Sequence, residues 1–144
     1  PYTLALVLHQ FFANRPGWSW SIEATDISSR VLAHAQAAVY SQESVARIPP
    51  AQLKACFEAL KGAEAGHYRV LPALRQKVTF RRLNLLGPTL PFTEPFDVIF
   101  CRNVMIYFDR PTQEELVGRM TRLLVPGGYL MVGHSESLTG IKHT

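Results

Sequence analysis

Phe96-Asp97-Val98-Ile99-Phe100-Cys101 runs straight into Arg102-Asn103. Apart from Asp97 this is a nearly continuous apolar, β-rich run. Such runs suit a strand covered on both faces, as in a parallel sheet. The guanidinium that follows is hard to leave buried, so Arg102 is expected to be paired or to face a cleft. On the carboxyl side, Asp109 and Thr112 offer helix caps, and Thr112-Gln113-Glu114-Glu115 has the spacing of a capping box. Leu116, Met120, Leu123 and Leu124 supply the buried stripe of that helix. Pro126-Gly127-Gly128 ends it, and Tyr129 to Val132 reads as a final strand.

On the amino side, Pro88, Pro91 and Pro95 mark a loop, and Val78 to Leu83 reads as another strand. Residues 61–76 look like a small β excursion: Gly62, Gly66 and Pro72 interrupt any long helix, and His67 to Val70 is strand-like. Pro49-Pro50 opens a helix expected to run through Leu60. Ser28 or Ser29 caps one expected to run through Val39. Trp18 to Thr25 reads as a strand ending at Asp26. Residues 2–13 place Leu4, Leu8, Phe11 and Phe12 at helical spacing. Strands alternating with helices imply βαβ units, hence an α/β fold with a mostly parallel sheet and helices on both faces. Ligands of such sheets sit at the carboxyl ends of the strands. Three strand ends carry polar groups: Asp26, Asn84, and Arg102 with Asn103.

The composition narrows the function classes. The 144 residues allow one domain, and 47% apolar with 18% charged residues argues for a folded core. No apolar stretch approaches a membrane span, and the amino end has no signal-peptide pattern. The chain opens on Pro1 without a Met and reads as a piece of something longer. Cys56 and Cys101 stand alone, as expected of reduced thiols in a cytosolic protein, and His9, His34, His67 and His143 share no metal-ligand spacing. The net charge of +4 is concentrated at Arg69, Arg75, Lys77, Arg81 and Arg82. That run is either a solvated face or a docking surface for an acidic partner. It lacks the aromatic interleaving and motifs of nucleic-acid binding.

The sequence from Phe100-Cys101-Arg102-Asn103-Val104-Met105-Ile106-Tyr107-Phe108 to Asp109 closely resembles a signature of the CheR-type chemotaxis receptor methyltransferases. Ala24-Thr25-Asp26-Ile27, Asn84-Leu85-Leu86 and Gly133-His134-Ser135-Glu136 resemble the same family in the same order. The resemblance implies a Rossmann-like S-adenosylmethionine-dependent methyltransferase fold with a small antiparallel β excursion. It implies O-methylation of glutamate side chains on chemoreceptors, giving γ-methyl esters and S-adenosylhomocysteine, in the cytoplasm. Residues 1–144 would then be a catalytic domain lacking its first strand and glycine-rich turn. Residues 61–76 would be the excursion that docks on the receptor, in some members through the receptor's carboxyl-terminal tail. The expected partners include neither nucleic acid nor a membrane.

The same resemblance makes Asp26 the acid that accepts the ribose hydroxyls, where position alone equally allows a helix cap. It makes Asn84 and Leu85 the adenine contacts, where spacing alone suggests a loop Asn beside a buried Leu. Cys101 and Arg102 would line the cofactor site, although Cys101 could equally be a small core residue. Tyr107 would be the catalytic-site tyrosine, against an ordinary half-buried aromatic. Asn103 could orient a loop or the substrate. His134, Ser135 and Glu136 lack the spacing of a nucleophile elbow, so a hydrolase is rejected and His134 is given a local structural role. The competing readings are a non-catalytic receptor-docking or signalling module on the same scaffold, and a methyltransferase for another protein or a small acid.

Overall fold

Residues 1–133 and 136 are described by the structure, a computed structural model. The contacts divide the chain into two units, Pro1–Asn84 and Leu85–Thr144, each with its own apolar core.

The first unit begins with α1 (Tyr2–Phe12). Its buried residues are Tyr2, Ala5 and Leu6, whereas Phe11 of the expected stripe is exposed. The stripe is therefore rotated toward positions 2, 5 and 6, which share one face at i, i+3 and i+4. β1 (Ile22–Asp26) starts four residues later than Trp18, where the alternating pattern begins. Trp18 instead stacks on Phe12 at 5.8 Å. β1 pairs in parallel with β5 (Val78–Arg82), from Ile22 opposite Val78 to Asp26 opposite Arg82.

Between them, α2 (Ser29–Ala37) packs against both strands and is capped by Ser28, whose hydroxyl accepts from the Val31 N–H at 3.3 Å. The helix stops short of Val39 because Ala38 takes a left-handed conformation, φ 55°. Its N–H caps the Ala35 carbonyl, and its own carbonyl accepts from Val70. For an alanine that conformation costs about 1–2 kcal/mol, offset here by complete burial and by these bonds.

Val39 then opens β2 (Val39–Ser41), an edge of an antiparallel sheet. After α3 (Gln42–Val45), α4 (Pro50–Cys56) ends early, and β3 (Phe57–Ala59) replaces its expected last turn. β4 (His67–Val70) is the central strand, pairing Arg69 with Val39 on one side and with Glu58 on the other. The sequence puts the excursion at 61–76, but two of its three strands lie upstream of residue 61. Local periodicity at Leu53, Phe57 and Leu60 mimics a helix, and pairing with β4 overrides it. Burial of Phe57, Val70 and Leu74, the last on α5 (Pro72–Arg75), joins this sheet to the unit's core. Each such side chain contributes about 1.5–3 kcal/mol.

Part of the basic run is engaged locally. Arg69 lies 3.9 Å from Glu58 and 3.7 Å from Glu64, Arg81 lies 3.8 Å from Glu23, and Arg82 donates to the Ile27 carbonyl. Exposed pairs of this kind contribute at most about 1 kcal/mol each. They do, however, use charges that a docking surface would present.

The second unit is a βαβ element. β6 (Phe96–Cys101) pairs in parallel with β7 (Leu124–Val132), and α6 (Arg110–Thr121) packs on β7. β7 starts before the Pro126-Gly127-Gly128 turn, which forms an irregularity inside the strand rather than its boundary. Gly127 has φ +82°, and a side chain on Gly128 would meet the Asp97 and Val125 carbonyls at 3.0 Å. α6 is capped by Asp109, which accepts from the Thr112 N–H at 3.1 Å; Thr112 sits inside the helix and the expected box is unused. The core joins Cys101, Met105, Leu116, Val117 and Met120, with Ile99, Leu130 and Val132 against it. The alternate residues Val98, Phe100, Tyr129 and Met131 are exposed. β6 is thus covered on one face, not both.

The fold is α/β with parallel pairs and a small antiparallel sheet. Among the described residues the parallel strands form two separate pairs rather than one sheet. No described helix is long and apolar enough to cross a membrane.

Candidate functional site

In the first unit, the parallel register of β1 and β5 brings Asp26 and Asn84 to the same end of the pair. The Leu83 N–H donates to the Asp26 carbonyl at 3.0 Å, which extends the ladder one step before Asn84. The Asp26 side chain is half-buried, and its Oδ1 accepts from the Ser28 N–H at 2.8 Å. That bond shapes the entry to α2 as an Asx turn while Ser28 does the capping. Oδ2 has no partner among the described residues. An acid at a strand's carboxyl end with an unengaged oxygen suits a vicinal diol.

In the second unit, Cys101, Arg102 and Tyr107 lie at or just after the end of β6, and Leu85 is bonded through its carbonyl to α6. Cys101 is 5% exposed and packs in the core; burial first, and Glu136 second, push its thiol pKa up to about 11. It is therefore an uncharged wall and not a nucleophile. Arg102 is exposed and makes no ion pair or hydrogen bond with a described residue, so of its two expected settings, paired or facing a cleft, pairing within the described residues is not the one seen. Leu85 is half-buried against the core, and Arg119 of α6 donates to the Leu85 carbonyl at 3.0 Å and to the Gly87 carbonyl at 2.7 Å. Tyr107 is 79% exposed, so it is not a half-buried packing aromatic.

The backbone that carries Tyr107 is held tightly. Asn103 is left-handed, φ 58°, and Val104 that follows is right-handed. Alternation of this kind turns successive N–H groups toward one point and makes an anion-binding concavity. Here the anion is Glu136. Its carboxylate accepts from Asn103 at 3.0 Å, Val104 at 2.9 Å, Met105 at 2.7 Å and Gly133 at 2.5 Å. A Cβ at Gly133 would meet the Glu136 carboxylate and lie 2.9 Å from Asn103 Oδ1, so a larger residue there would displace the carboxylate from its donors. On the other side, Gln113 Nε2 donates to the Met105 and Phe108 carbonyls at 2.9 and 3.0 Å. Met105 is buried beneath the 3-10 turn Met105–Tyr107. The turn is pinned at its amides by Glu136 and at its carbonyls by Gln113, with the Tyr107 ring free in solvent.

Partial burial tends to raise the Glu136 pKa, but the four backbone donors outweigh it and hold the carboxyl below its usual range. The stabilisation it contributes is therefore complete above the unfolded value, about 4.3, and fades as pH falls through the lower folded value. Midpoints of urea unfolding for wild type and Glu136→Gln are expected to differ at pH 6. The difference should shrink steadily as the pH is taken below 4; a gap that widens in acid contradicts the assignment.

These geometries stand beside clear relatives. Residues 1–144 match the family model described as CheR methyltransferase, SAM binding domain. The chain belongs to the CheR methyltransferase family. It is 43% identical over 98% of its length to a chemotaxis protein methyltransferase of Klebsiella aerogenes, covering 48% of that protein. It is 40% identical over 99% of its length to one of Escherichia coli, covering 49%. It is 41% identical over 99% of its length to chemotaxis protein methyltransferase 2 of Pseudomonas aeruginosa, covering 51%. The chain thus spans about half the length of the curated relatives it matches.

Gln113, Arg119 and Glu136 are the polar residues that sequence reasoning missed. Glu136 closes the Gly133-to-Glu136 stretch that resembles the CheR family, but its sequence neighbours give it no role of its own once a hydrolase is rejected. His134 and Ser135 lie outside the described residues. Gln113 and Arg119 look like ordinary helix-surface residues, and only the path of the adjoining loops gives them partners.

Proposed function

We propose that this chain is the cofactor-binding and catalytic part of a methyltransferase that esterifies glutamate side chains of a chemoreceptor's cytoplasmic region. Membership in the CheR family supports the reaction class, and the observation that carries the site is Tyr107, exposed on a turn fixed from both sides. In the first unit Asp26 would take the ribose through its free oxygen and Asn84 the adenine edge; in the second unit Leu85, Cys101 and Arg102 are the residues offered to the cofactor. These donors fit S-adenosylmethionine: an acid for a diol, an amide for a heteroaromatic edge, and apolar walls. Bound there, that cofactor supplies an electrophilic methyl group on a sulfonium.

A glutamate carboxylate has an unperturbed pKa of about 4.3 and is ionised at neutral pH, so no general base is required. This agrees with candidate residues that include an aromatic, an arginine and an amide rather than an acid–base pair. The residues act by positioning and by excluding water from the carboxylate. The Tyr107 ring or hydroxyl favours positive charge nearby. Arg102 serves cofactor binding, since a tight ion pair with the incoming carboxylate would blunt it. The antiparallel sheet around residues 61–76 docks the receptor, with its carboxyl-terminal tail as one attachment point, and the reaction takes place in the cytoplasm.

The test is methyl transfer from labelled S-adenosylmethionine to a receptor cytoplasmic fragment, using the protein that carries this chain. Base-labile label on receptor glutamates is the expected result. Receptor binding without label identifies a docking module, and label on other acceptors alone overturns the receptor assignment.

A further inference from the structure

The Glu136 carboxylate gathers backbone N–H groups from two separate loops, one after β6 and one after β7. A carboxylate has about four acceptor sites, and three of the four donors it meets here are consecutive amides of the segment leading to Tyr107. The segment has few other anchors at its start. Asn103 is exposed and left-handed, and apolar cover begins only with Val104 and Met105. Gln113 holds carbonyls at the far end of the turn, so the amide end depends on Glu136.

We infer that Glu136 is a positioning residue for methyl transfer: its carboxylate sets the path from Asn103 to Met105 and so the placement of Tyr107. This rests on the catalytic reading of Tyr107. Charge and shape are both required. A carboxamide offers one acceptor oxygen where the carboxylate offers two, and its NH₂ would face donors already converging on that point. Shortening to Asp keeps the charge but withdraws it from part of the set.

The experiment compares wild type, Glu136→Gln, Glu136→Asp and Tyr107→Ala in the protein that carries this chain. Amide hydrogen exchange and steady-state kinetics are measured on each. In Glu136→Gln, exchange at Asn103, Val104 and Met105 is expected to rise about tenfold or more, with the amides of Leu116 and Val117 unchanged. The kcat per folded molecule is expected to fall about tenfold while KM for S-adenosylmethionine moves less than about threefold, and the unchanged exchange at Leu116 and Val117 excludes a smaller folded fraction as the cause. Glu136→Asp should fall between the two, and it supplies both readings if the Gln variant does not fold. Unchanged protection at 103–105 overturns the inference. So does a loosened segment with full kcat in a protein that Tyr107→Ala slows. If Tyr107→Ala turns over at the wild-type rate, the catalytic reading of Tyr107 fails instead, and the exchange data still report whether Glu136 holds the segment.

Discussion

Tyr107→Ala is expected to lower kcat for receptor methylation by about 10²-fold while leaving the affinity for S-adenosylhomocysteine within about threefold. The reasoning starts from exposure. A tyrosine that is 79% exposed contributes almost nothing to the core, and Met105 and Gln113 hold its backbone independently of the ring. Removing the ring should therefore leave the fold intact and delete only what it does to a bound substrate. A ring face or hydroxyl beside a sulfonium favours charge in a desolvated site, and the ring also keeps water from the carboxylate. Tyr107→Phe separates the two parts: near-wild-type turnover assigns the work to the ring, and a loss as large as that of Ala assigns it to the hydroxyl. Calorimetry for binding and labelled-methyl transfer for turnover are the measurements. Equal losses in both would sink the assignment.

The second large effect is on binding. Asp26→Asn is expected to weaken S-adenosylhomocysteine binding by about 10- to 100-fold, in line with about 1.5–3 kcal/mol for hydrogen bonds to a charged group. Asn is the informative substitution because its side-chain oxygen can still accept from the Ser28 N–H, so the turn into α2 survives. The thermal midpoint should then stay within a few degrees. Unchanged affinity would leave Asp26 as a turn-forming residue only. A large fall in midpoint with proportionate loss of binding would do the same.

Much of the architecture was legible from residue order. The run from Phe96 to Cys101 declares a strand because consecutive β-prone apolar residues have few alternatives, and β6 has those limits. Val78 onward behaves the same way in β5, and the Asp109 cap of α6 follows from a side-chain oxygen at the right offset. What misled the reading was local periodicity. Phe57 and Leu60 continue the helical spacing of α4, and Val39 continues that of α2, yet both stretches become strands because β4 offers them partners remote in sequence. Neither partner is visible from the segment itself.

The candidate site divides in the same way. Asp26, Asn84, Leu85, Cys101, Arg102 and Tyr107 could be named from strand ends and from stretches that resemble the CheR family. Under the proposed function those residues would meet a ligand directly, and the chemistry of direct contact leaves its mark in residue type. The supports could not be named. Glu136, Gln113 and Arg119 act by bonding main-chain atoms, and every residue has the same main chain, so no sequence pattern marks the recipient. The sequence by itself determined the α/β class and the family, and it named the side chains proposed to meet a ligand. Only the tertiary structure decided which carboxylate folds back on which amides, because that depends on two strand ends arriving side by side.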